Sequence, residues 1–161
     1  MIQDRSKYAA KYAKCISCPF ATLGKPTRPV LARKPDGDTP LRGVVVGEYP
    51  SLDDVEDGAP FLGVTGNALT EKLEASGIKR REMMLIHACA CRPHRGASDD
   101  DIGRAVKLCR GLFLEQLAKV PAAIPTLAMG KWAAVAVTGT DKHPMASRGY
   151  IQPSRLPRKK T

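Results

Sequence analysis

The 161-residue sequence predicts an α/β fold built on a short parallel sheet. Two observations predict it. Three short apolar runs, at residues 42–47, 83–86 and 124–130, have the β-branched or aliphatic character of buried strands. Each run is followed by a stretch with helical spacing, and strand–helix alternation joins parallel strands through right-handed crossovers. The length suits one core of about 100–200 residues, and 43% hydrophobic with 26% charged residues is a globular mix.

The elements run in order along the chain. Residues 3–14 carry Tyr8, Tyr12 and several lysines and alanines, a short basic helix leading into Cys15. Residues 19–41 hold Pro19, Pro26, Pro29, Pro35, Pro40, Gly24 and Gly37, and read as an irregular connector. The first strand, Val44 to Val46, ends at Gly47. Residues 47–66 form a glycine-punctuated loop with Glu48, Asp53, Asp54, Glu56 and Asp57. Leu69 and Leu73, four apart, mark a helix over 66–76 that Gly77 stops. A strand at 83–86 delivers His87 to Cys91 at its carboxyl end. Asp99, Asp100 and Asp101 favour the first turn of a helix running through Val106, Cys109, Phe113 and Leu117 to Pro121. The third strand ends at Gly130, and 131–137 form an Ala-rich helix. Beyond Gly139 no fourth strand is visible, and Pro144, Pro153 and Pro157 interrupt the remaining residues. Residues 1–150 are expected to form one domain and 151–161 a basic tail.

Twenty-six Lys and Arg against sixteen Asp and Glu leave a net charge of +10, which points to a polyanionic partner such as nucleic acid. No apolar run approaches the roughly 18 residues of a membrane span, and Met1 to Arg5 lack an apolar signal core. A cytoplasmic monomer is the expectation, without a membrane partner.

In such a sheet, ligands bind where strand carboxyl ends meet loops. Those ends carry Glu48, then His87 to Cys91, then Gly130. Cys15 and Cys18 form a Cys-x-x-Cys turn; with Cys91 and Cys109 they offer four thiolates from three segments, suited to zinc or an iron–sulfur cluster. Spacing alone does not choose between them.

From Gly47 onward the sequence resembles a known family. Gly47-Glu48-Tyr49-Pro50, Gly58-Ala59-Pro60-Phe61-Leu62-Gly63 and Gly66 are similar to the first motif of the family 4 uracil-DNA glycosylases, the iron–sulfur branch of that superfamily. The similarity continues in Cys91-Arg92-Pro93, in Cys109 with Phe113-Leu114, and in Leu127 to Ala133, and covers roughly residues 10–150. It implies a three-layer αβα domain with a short central parallel sheet, shortened at its C-terminus. It implies a [4Fe-4S] cluster on Cys15, Cys18, Cys91 and Cys109, with Cys89 a buried bystander. It also implies a DNA-repair hydrolase that flips uracil out of single- or double-stranded DNA and cleaves the N-glycosidic bond.

Residue by residue, Phe61 matches the ring on which uracil stacks. Glu48 and Asp54 match the family's acids, one of which positions or activates water, although Asp54 is a methylene shorter than the family's Glu. Backbone N–H groups around Glu48 to Ser51 are expected to be available to contact the base's carbonyl oxygen. Three departures stand out. His87 replaces the asparagine that reads the uracil edge. Tyr49 and Ser51 replace an alanine and a glycine, reshaping the pocket. The family's second motif, His-Pro-Ser after a fourth strand, has no clear counterpart: His143-Pro144 precedes Arg148-Gly149, which resembles the residues ahead of that strand. The departures keep a second expectation open, a catalytically inactive iron–sulfur relative that binds DNA or a replication or repair partner.

Overall fold

The computed structural model describes residues 15, 17–22 and 29–140. The expected N-terminal helix, His143 and the basic tail lie outside the described residues. Strands β1 (Gly43–Gly47), β2 (Met83–His87) and β3 (Thr126–Ala128) form one parallel sheet in the order β2-β1-β3. Gly47 pairs with His87 and Val46 with Ala128, so all three strands end at the same edge.

Strand alternation splits the sheet between two cores, because successive side chains point to opposite faces. Val44, Val46, Met84 and Ile86 face one core, shared with helix α4 (Asp99–Leu117) through Val106, Phe113 and Leu117, and with helix α5 (Lys131–Thr138) through Ala133 and Ala136. Val45, Met83 and Leu85 face the other, shared with Leu69 and Leu73 of helix α3 (Gly63–Ala75) and with Phe61. The result is the three-layer αβα arrangement expected. Burying a side chain such as Phe113 contributes about 1.5–3 kcal/mol, and its truncation to alanine costs about 3–5 kcal/mol.

Three expectations are corrected. The connector contains a helical turn, α1 (Pro19–Thr22), and Arg33 makes an antiparallel bridge with Leu85 on the outer edge of β2. The acidic loop contains helix α2 (Leu52–Asp57), opened by a capping box in which the Ser51 hydroxyl accepts the Asp54 amide and the Asp54 carboxylate accepts the Ser51 amide. The same device, Ser98 with Asp101, opens α4. α3 begins at Gly63, three residues before its predicted start.

Candidate active site

The absent side chain of Gly47 creates the site. A Cβ there would lie 2.5 Å from His87 Nδ1 and 2.8 Å from Phe61 Cζ, so both rings pack directly on the end of β1. His87 and Phe61 stack, with centroids 4.8 Å apart and planes 24° from parallel.

His87 is oriented from below by Asp54. Its Nε2 lies 2.9 Å from Asp54 Oδ2, and both side chains are buried. Asp54 also accepts the Ser51 amide at 3.1 Å and the Leu62 amide at 2.6 Å. Burial by itself would raise the carboxyl pKa, but the hydrogen bonds from His87, Leu62 and Ser51 outweigh it and hold the group at about 2. An ionised carboxylate only accepts, so Nε2 carries the proton of this bond. Nδ1 is buried and has no hydrogen-bond partner among the described residues.

Phe61 sits in the left-handed region at φ 60°, where a non-glycine residue is strained. Arg80 holds it there: Nη2 donates to the carbonyls of Phe61 (2.6 Å) and Pro60 (3.2 Å), while Nη1 donates to the Gly66 carbonyl and the Thr70 hydroxyl, both at 3.1 Å. A side chain on Gly66 would run into the Phe61 carbonyl.

Glu48 leaves β1 toward the start of α5, where its Oε1 accepts the Trp132 amide at 2.9 Å. The positive end of a helix favours a carboxylate there. Gly130 makes room at φ 105°; a Cβ would lie 2.6 Å from the Glu48 carboxyl carbon. Trp132 is fixed through its indole N–H to Asp99 at 3.0 Å, with Lys131 over its ring and bonded to the same carboxylate.

The structure thus gathers Glu48, Asp54, Phe61 and His87 at the carboxyl ends of β1 and β2, with three differences from expectation. Asp54 does not face water: it is 2% exposed and its oxygens take three protein donors. Phe61 does not face an open pocket: it is 4% exposed, with His87 on its ring. Tyr49 packs against the α4/α5 core rather than with Phe61, and Ser51 is an N-cap whose amide is committed to Asp54. Arg80 and Trp132 join the site without having been expected there, and Gly130, expected at a strand end, joins it by leaving room for Glu48. Their contributions run through a guanidinium to carbonyls, an absent side chain and a main-chain amide, none of which residue types announce; the Ser51-x-x-Asp54 capping box was the legible signal for α2.

The soft-donor residues draw together on the α4 side. Cys18, Cys91 and Cys109 are half-buried against one core, and Cys89 is sealed within it. A hydrogen bond between the free thiols of Cys89 and Cys109 pushes Cys89 well up, aided by burial and by the neighbouring Cys109, Cys18 and Cys91; the same hydrogen bond pulls Cys109 down. Cys109 Sγ also accepts the Ala90 amide at 3.4 Å. Cys15 lies one turn before Cys18, its carbonyl accepting the Cys18 amide. Thiolates are the donors an iron–sulfur cluster takes, so the residue types fit. Among the described residues, however, no three His, Cys, Asp or Glu side chains stand at metal-holding positions. No helix of the described residues is long and apolar enough to cross a membrane.

Comparison with known proteins gives consistent matches. Residues 35–159 match the family model described as the uracil DNA glycosylase superfamily. The chain is 27% identical over 114 residues to a type-4 uracil-DNA glycosylase of Pyrobaculum aerophilum, covering 71% of this chain and 55% of that protein. It is 38% identical over 80 residues to one of Thermotoga maritima (50% and 39%), and 34% over 74 residues to one of Archaeoglobus fulgidus (46% and 36%). The matched segments thus span about half, or less, of the length of these relatives.

Proposed function

The chain belongs to the uracil DNA glycosylase superfamily, with type-4 members among its relatives, and from that premise we propose that it is a DNA glycosylase that excises uracil by base flipping and hydrolysis. The observation that carries the proposal is the convergence of Phe61, His87 and Glu48 at the carboxyl end of the sheet, where the fold places ligands.

In this reading a flipped base stacks on Phe61 after the imidazole moves off that ring. His87, its Nε2–H held by Asp54, presents Nδ1 as an acceptor for the N3–H of uracil. Cytosine, whose N3 is itself an acceptor, is rejected. Asp54 is a positioning residue for that imidazole. Glu48, anchored on the Trp132 amide through one oxygen, orients water with the other. The water oxygen bonds to C1′ as the C1′–N1 bond breaks, the electron pair leaves on the base, and the water proton passes through Glu48 to solvent. The Tyr49 amide, which has no acceptor among the described residues, donates to the base carbonyl as its charge grows.

The cofactor of this reading is a [4Fe-4S] cluster on Cys15, Cys18, Cys91 and Cys109. It would supply structural cross-linking, fastening α1 and the loop after β2 to α4, where the segment before β1 has little apolar surface of its own to order it. DNA is the partner and DNA repair the setting.

One observation favours a second reading. The imidazole of His87 covers Phe61 where the base must stack, as expected of a relative that keeps the fold and binds DNA or a repair partner without chemistry. A uracil-containing oligonucleotide, single- or double-stranded, incubated with excess protein and then cleaved at abasic sites, separates the two. The glycosylase yields cleaved product. DNA binding with no abasic product would overturn the first reading.

A further inference from the structure

The proposed reaction leaves a strongly charged cavity unused. It has a volume of about 480 Å³ and runs along the outer edge of β2, beside α3 and the residues near the Arg33 bridge. Arg33, Lys34, Lys79, Arg80 and Arg81 line it. None of Glu48, Asp54, Phe61 or His87 does.

Three cations elsewhere have carboxylate partners: Arg42 pairs with Glu82, Arg104 with Asp101 and Lys131 with Asp99. The five cations of the cavity have no ion pair among the described residues, although Asp36 and Glu74 share its wall. Arg80 spends its donors on three carbonyls and a hydroxyl, none of them a carboxylate. Burial and the nearby charge of Arg33 push Arg80 below its ordinary value, and the charge of Asp54 only partly opposes them. Like charges gathered around a concavity repel one another, and an anion placed among them relieves that repulsion.

We propose that this cavity seats the phosphodiester backbone of a nucleic-acid strand, at a position separate from the candidate active site. Two features favour a strand over a small enclosed ion. The cations come from two chain segments, residues 33–34 and 79–81, and all are exposed except Arg80, which is half-buried, so the charge forms an open track. The chain as a whole is strongly cationic at +10. Arg80 also holds the Phe61 turn, so one residue joins the track to the stacking ring.

The test is fluorescence anisotropy of a labelled, uracil-free oligonucleotide titrated with the full chain across a range of salt, which makes it independent of base excision. K34A/R81A removes two track charges, and K107A/K119A removes two exposed charges on and beyond α4. K34A/R81A is expected to weaken binding on the order of tenfold and to flatten the slope of log affinity against log salt by about 1.5, at roughly 0.7–0.9 per lost phosphate contact. K107A/K119A should change neither. R33A/K34A carries the same expectation as K34A/R81A, should that pair fail to fold. Inorganic phosphate should displace the strand no more than chloride does at equal ionic strength. Unchanged binding by the track variants, equal losses in both pairs, or saturable displacement by phosphate alone would each overturn the proposal.

Discussion

Asp54→Asn keeps the shape of a buried side chain and removes its charge. In the native protein Oδ1 takes the Leu62 amide, while Oδ2 takes both the Ser51 amide and His87 Nε2. An asparagine keeps one acceptor and turns an NH2 toward donors, so at least one buried donor loses its partner. The carboxyl is held at about 2 against an ordinary 3.8, and at about 1.36 kcal/mol per pH unit that depression contributes roughly 2 kcal/mol at neutral pH. Adding about 1–3 kcal/mol for a stranded donor, the variant should be less stable by about 3–5 kcal/mol. Because the folded value lies below the unfolded one, the charge contribution is complete above about pH 4 and is lost as pH falls toward about 2. Urea denaturation of both proteins from neutral pH down to about pH 2.5 should show the gap narrowing over that window. Equal stabilities at neutral pH, or a gap that does not narrow in acid, would refute the reasoning.

Gly130→Ala forces a side chain into φ 105° and against the Glu48 carboxylate; thermal melts should show a loss of about 1–3 kcal/mol, and an unchanged melting temperature would contradict the close approach. His87→Asn removes the ring that covers Phe61 and should strengthen binding of free uracil by calorimetry, whereas equal or weaker binding would mean that His87 is not what closes the site. Arg80→Ala deletes the bonds to the Pro60, Phe61 and Gly66 carbonyls, and the amides of residues 61–63 should then exchange hydrogen faster; unchanged protection would place the strain elsewhere. Anaerobically purified protein should show the broad visible absorbance of an iron–sulfur centre, lost in Cys109→Ser and kept in Cys89→Ser. Loss in both variants would give Cys89 a ligand's role.

Periodicity made the framework legible. The valine run of β1, the apolar run of β2 and the capped, aspartate-led α4 each follow from local composition. The acidic segment after β1 reads as a solvated loop because of its charges, while Ser51 and Asp54 in fact cap α2, and Asp54 turns inward only because His87 waits on β2, thirty-three residues away. Motif similarity brought Glu48, Phe61 and His87 into consideration, yet it could not show that His87 lies on Phe61. That contact depends on an imidazole being longer than an amide and on the bare backbone of Gly47. The roles of Arg80 and Gly130 depend on where carbonyls and a carboxylate end up in space, which no local pattern encodes.

A structure of the protein bound to uracil-containing DNA tests the proposed chemistry most directly. The extruded pyrimidine should lie on Phe61, with the imidazole displaced from that ring while still bonded to Asp54, and Glu48 should face C1′ through a water. DNA bound with every base still stacked in the duplex, and His87 unmoved on Phe61, would contradict it.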